Sequence, residues 1–107
     1  MTVQIELTAE FHFDAEGGRD ETMRLIDRLM VELQHLAETD CGVSDPALSA
    51  DHATRILTVE IVARAADFDG AVSIADSALR SAAHAAGWNT PGWELRQQSK
   101  QADLIHA

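Results

Sequence analysis

Val3, Ile5, Leu7, Ala9, Phe11 and Phe13 alternate with Gln4, Glu6, Thr8, Glu10 and His12. Successive side chains of a strand point to opposite faces. The alternation therefore predicts a strand over Val3–Phe13 with one apolar and one polar face. A helix would scatter the same residues around its circumference. The period returns between Arg55 and Ala65, where Leu57, Val59, Ile61, Ala63 and Ala65 share one face and Thr58, Glu60, Val62 and Arg64 the other. Its β-branched residues suit a pleated surface.

Between these segments the period changes. Met23, Ile26, Leu29, Met30, Leu33, Leu36 and Ala37 recur at steps of three and four, which is one face of a helix. Asp20 stands where an N-cap carboxylate would accept from the first turn, and Glu21 suits the positive end of the dipole. Glu21 with Arg24, and Arg28 with Glu32, are spaced to pair along the surface. Leu25 and Val31 lie off the main stripe. Thr39-Asp40-Cys41-Gly42 closes the helix, with Gly42 suited to a left-handed position.

A second helix is predicted after Ala66-Asp67-Phe68-Asp69-Gly70, capped by Asp67 or Asp69. Its stripe is Val72, Ala75, Leu79, Ala82 and Ala86, with Ala71, Ala78 and Ala85 nearby. An alanine face lets a helix approach a sheet closely. Gly87 fits the C′ position, and Trp88 is placed to fold back on the last turn.

The remaining elements carry weaker patterns. Pro46 cannot donate to a ladder, so a short edge strand is expected only over Ala47–Ala50. Asp51-His52-Ala53-Thr54 reads as the hairpin turn that follows. Thr90-Pro91-Gly92 reads as a type II turn. A last strand is expected from Trp93 to about Ser99, whose charges and glutamines suit an edge. No structure is assigned to 101–107.

The series is strand, helix, strand, strand, helix, strand. It predicts an α+β, ferredoxin-like β-α-β-β-α-β two-layer sandwich filling a single domain over 1–107. Right-handed crossovers and hairpin adjacency give an antiparallel sheet of order 4-1-3-2. Both helices should cover the face that carries Leu7, Phe11, Val59 and Ile61.

Composition narrows the partners. Of 107 residues, 46% are apolar and 24% charged, an ordinary globular balance. Eighteen acidic residues against eight basic ones give a formal charge of −10. That field opposes nucleic acid phosphates and anionic lipid. The open face also lacks the stacking aromatics of an RNA-recognition domain. A lone cysteine, Cys41, excludes an intramolecular disulfide. No signal peptide or membrane span is read, so a cytoplasmic protein is expected.

Candidate chemistry is sparse. Glu10, His12 and Glu60 share the open face but lack a diagnostic metal-ligand spacing. His35 and Cys41 lack the second ligand pair of a zinc site, and Cys41 has no cationic neighbour to activate it. Asp76 and His84 are more than two helical turns apart. His52 falls in a turn and His106 in the tail. The loop around Gly17 and Gly18 has the glycines of an anion site but four acidic neighbours, Asp14, Glu16, Asp20 and Glu21. Trp88 and Trp93 flank Asn89-Thr90-Pro91-Gly92, as core closure or as a pocket wall. No catalytic residue, cofactor-binding residue, metal ligand or cofactor is assigned. The expected function is a non-enzymatic protein-interaction or regulatory module, a homodimer or the partner of another protein. The alternative is a small-molecule binder or enzyme with a pocket between the sheet and the Gly17-Gly18 or Trp88–Trp93 loops.

Overall fold

The computed structural model describes residues 2–12, 18–39, 42–51, 53–87 and 97–106. The elements in chain order are β1 (Val3–His12), α1 (Gly18–Glu38), β2 (Val43–Asp51), β3 (Ile56–Ala65), α2 (Phe68–Ala85) and β4 (Gln97–His106). The strands form one antiparallel sheet of order β2-β3-β1-β4. This is the expected order, read from the opposite edge.

The two alternating segments pair in mid-sheet. Ile5 faces Ala63, Leu7 faces Ile61, Ala9 faces Val59 and Phe11 faces Leu57. All eight are buried. Ile26, Leu29 and Leu33 of α1 and the alanines of α2 complete the same core. Both helices therefore lie on one face, with α1 against β2 and α2 against β3 and β1. The stripe of α2 is turned slightly from the expected one. Ala71, Ala75, Ala78, Leu79, Ala82, Ala83 and Ala86 are buried, Val72 is half-buried and Ala85 is exposed. On α1, Leu25 is half-buried and Val31 exposed.

Several boundaries differ from expectation. Helix α1 begins at Gly18, so Asp20 lies inside the first turn rather than at the cap. A carboxylate is stabilised at either place by the helix dipole, so residue type alone does not separate them. Strand β2 is longer than Ala47–Ala50. It starts at Val43, which is buried opposite Ala63. Asp45 and Pro46 sit in a register shift between Ser44 and Ala47, with Asp45 at φ 50°. The bulge accommodates the proline without losing the strand. Arg55 (φ 59°) belongs to the hairpin loop, not to β3. Asp51 Oδ1 accepts from the N–H groups of Ala53 (2.9 Å) and Thr54 (3.4 Å), which closes the loop.

The last strand is the largest correction. It runs over Gln97–His106, well past the expected end at Ser99, while the expected start over 93–96 lies outside the described residues. Ala102 lies opposite Leu7 and Leu104 opposite Ile5, with register shifts near both ends. The open edge of β1 recruits a segment whose own pattern is faint. The loop from Trp88 to Trp93 lies outside the described residues, as do Phe13, Gly17, Asp40, Cys41 and His52.

Of the two cap candidates on α2, Asp67 caps. It is extended (φ −143°, ψ 172°), and its Oδ1 accepts from the Gly70 N–H at 2.6 Å. A Cβ at Gly70 would lie 2.8 Å from that oxygen, so a larger residue there would make the Asp67 carboxylate shift. At the far end Gly87 (φ +91°) donates to the His84 carbonyl at 3.1 Å, as a C′ glycine does. Gly42 (φ +89°) is left-handed as expected. Asp67→Ala should lower the unfolding free energy by about 1 kcal/mol. Asp69→Ala, which removes only a charge near the dipole, should cost about 0.3–1 kcal/mol. Urea denaturation of both variants checks this order, and a larger loss at Asp69 would refute the assignment of the cap.

Candidate functional site

The helix-free face follows from the β1 register. Glu6 stands between Val62 of β3 and Asp103 of β4. Thr8 stands between Glu60 and Gln101, and Glu10 lies beside Thr58. Gln4, Glu6, Thr8 and Glu10 are half-buried by their neighbours. Val62 was expected on a wet surface but is buried. It is a short apolar side chain in a central strand, flanked by Glu6 and by Ser44. Like charges directly opposite across a ladder destabilise it, and Glu6 with Asp103 is such a pair. Gln101 Nε2 moderates it by donating to both Asp103 carboxylate oxygens, at 3.2 and 3.0 Å.

The residues weighed for metal chemistry spread along this face. Glu10 pairs with Thr58, His12 with Ile56 and Glu60 with Thr8, three successive positions on that face. Among the described residues no three His, Cys, Asp or Glu side chains are grouped to hold a metal ion. His35 and His84 each lie in the last turn of a helix, one on α1 and the other on α2. Asp76 binds Lys100 of β4 at 2.9 Å instead of approaching His84. This ion pair joins α2 to the edge strand. Both partners are substantially exposed, so it contributes little beyond about 1 kcal/mol. Gly18 opens α1, while Gly17 and the Trp88–Trp93 loop lie outside the described residues. No helix among the described residues is long and apolar enough to cross a membrane.

What the structure does bring together is surface relief. A hollow of about 300 Å³ separates α1 from α2, where Leu36 and Ile74 meet Ser73, Ser77 and Ser81. A groove of about 390 Å³ lies between α1 and β2, with Met23, Ile26 and Met30 on one wall and Leu48 and Ala50 on the other. Around the hairpin, Glu10, Asp51, Thr54 and Thr58 surround a shallow hollow on the helix-free face. At the opposite edge β4 exposes Leu104 (55%) and Ile105 (50%). Leu104 shares the helix side with Ile5, beyond the cover of α2. The signal for this edge was present in Ala102, Leu104 and Ile105, but a run so short resembles an ordinary tail.

Comparison with protein-family models, with curated proteins and with solved structures finds no match to this chain. The surfaces above are therefore read by their own chemistry. Removing the charge opposition on the helix-free face should stabilise the fold. Glu6→Gln is expected to raise the unfolding free energy by about 0.2–1 kcal/mol. The gain should shrink as salt is added. Thermal denaturation at low and high salt measures it, and a loss of stability would show that Glu6 makes a favourable contact instead.

Proposed function

We propose that this chain is a ferredoxin-like plait that works as a non-enzymatic, cytoplasmic protein-interaction module and forms a homodimer through β4. The ferredoxin-like reading is supported by the β-α-β-β-α-β series, the sheet order and the two helices on one face. The observation that carries the functional reading is the unprotected edge. Strand β4 pairs on one side only, has no proline along its ten residues, and exposes Leu104 and Ile105. Its single lysine, Lys100, is drawn back onto Asp76 and so guards the edge poorly.

A second copy of β4 suits this edge by symmetry. A two-fold axis normal to the sheet keeps each side chain on its own face, so paired residues must differ by an even number. Centred on Ala102, the axis sets Gln101 against the partner's Asp103 and Lys100 against the partner's Leu104. The amide that already donates to Asp103 within the strand then has a second carboxylate opposite it. The long lysine stem also covers part of the leucine. Centred on Asp103, the axis would oppose two carboxylates, so the first register is favoured.

Sedimentation equilibrium should show a dimer. Leu104→Lys, which sets two lysines opposite each other at both such positions of the pairing, should return it to a monomer with an unchanged circular dichroism spectrum. Because each copy carries −10, added salt should tighten the association. A wild-type chain that stays monomeric at high micromolar concentration would overturn the dimer.

A further inference from the structure

Ser49 and Ala50 of β2 line two hollows, one on each side of the sheet. On the helix side lies the groove of about 390 Å³ walled by Met23, Ile26, Met30 and Leu48, with Asp27 among them. On the helix-free side lies a second hollow of about the same size, about 390 Å³, where Glu10 and Asp51 accompany Thr54, Ile56 and Thr58. Strand β2 is the outermost strand at this edge. A segment laid along it would send alternate side chains to opposite sides. One edge therefore offers an apolar trough and an acidic trough to a single extended chain.

We infer that the β2 edge is a docking site for an extended segment of another protein in which apolar and basic residues alternate, added to the sheet as a further strand. Main-chain hydrogen bonds to the edge would supply the attachment, and the two troughs would select the side chains. Methionines suit the apolar wall, because an unbranched thioether adapts to varied shapes. Met23 is 40% exposed at the groove and Ile26 forms its buried floor. On the other side a lysine or arginine stem laid over Ser49 would bring its charge towards Asp51 and Glu10.

Charge and length decide the occupant. Asp27, Asp51 and Glu10 are acidic, and the chain carries −10 in all. A second copy would bring the same sign to these troughs, and so would a nucleic acid. A basic segment brings the opposite sign. The Asp45–Pro46 bulge interrupts the regular ladder between Ser44 and Ala47. The uninterrupted edge is thus Ala47–Asp51, short for pairing two folded bodies and adequate for a peptide. This site goes beyond self-association through β4 and lies at the other edge of the sheet.

The test uses a blocked synthetic peptide of about eight alternating valine and lysine residues, a typical strand length. Its binding is followed by fluorescence anisotropy and by backbone amide and methionine methyl shifts of the intact chain. Saturable binding is expected, with shifts concentrated on Ala47–Asp51 and on the Met23 and Met30 methyl groups. Met23→Lys, an exposed change that makes the apolar wall polar and basic, should weaken binding by at least about tenfold, or 1.4 kcal/mol. A peptide N-methylated at alternate residues, which cannot pair with the edge, should not bind. Leu104→Lys should leave binding unchanged, so failure here and failure of the β4 dimer are read separately. The inference is overturned if the alternating peptide does not saturate. It is also overturned if a peptide of the same composition with its lysines in one block binds equally, or if the shifts fall on β4.

Discussion

The ten-pair ladder between β1 and β3 is the constraint from which the rest of the structure follows. Its register runs from Val3 opposite Ala65 to His12 opposite Ile56 without a bulge. Because side chains alternate strictly, a slip of β1 by one residue would carry Leu7 and Phe11 to water and bring Glu6 into the core, and a slip of β3 would do the same with Val59, Ile61 and Glu60. Burying each large aliphatic side chain is worth about 1.5–3 kcal/mol, while burying an unpaired carboxylate costs more. The penalty applies at every pair at once, so the register is held by many residues rather than by one. With that face fixed, the helices have one place to go. Alanines on α2 bring it close to β3 and β1, while the larger Ile26, Leu29 and Leu33 hold α1 over the β2 side.

The same alternation that builds the core concentrates charge on the other face. The polar residues of β1 all emerge on that face, beside the outward residues of its neighbours. That places Glu6 beside Asp103 and Glu60 diagonally from Glu10. Such a face is suited neither to phosphate nor to a close-packed apolar partner. The proposed contacts accordingly use the parts of the sheet where the pattern relaxes, its two edges and the seam between α1 and β2.

How much of this was legible in the sequence depends on where an element draws its stability. Strands β1 and β3 bury one face each, so period two is written into them. The cap at Asp67 and the left-handed Gly42 and Gly87 were legible because each answers a local geometric need. Strand β4 was not, because its ladder is set by the open side of β1. Gln97, Gln101 and Asp103 tolerate that position without advertising it. The extent of β2 was hidden by Pro46, which forbids a regular ladder but not a bulge. Val62 was misjudged because burial in a central strand depends on the lengths of neighbouring side chains, which periodicity does not encode. Of the candidate surfaces, Met23 and Met30 were visible as helix positions. Their meeting with Leu48 depends on α1 lying over β2.

The two edges of the sheet are treated differently, and the difference bears on what each can bind. Strand β2 carries a proline and a bulge beside Asp45, devices that keep an edge from pairing freely. They leave only a short stretch open, overhung by α1 and flanked by acid. On the proposed docking, an edge limited in this way would discriminate, since it would admit a chain of defined length, alternation and charge. Strand β4 has no proline over its ten residues, and its exposed leucine and isoleucine sit beyond the reach of α2. An edge of that kind is tolerable in a protein of charge −10 because repulsion limits indiscriminate association. It remains usable by a partner whose pairing places amide against carboxylate. On the two proposals the acidity of the chain would act at both edges, as a filter at one and as a brake at the other.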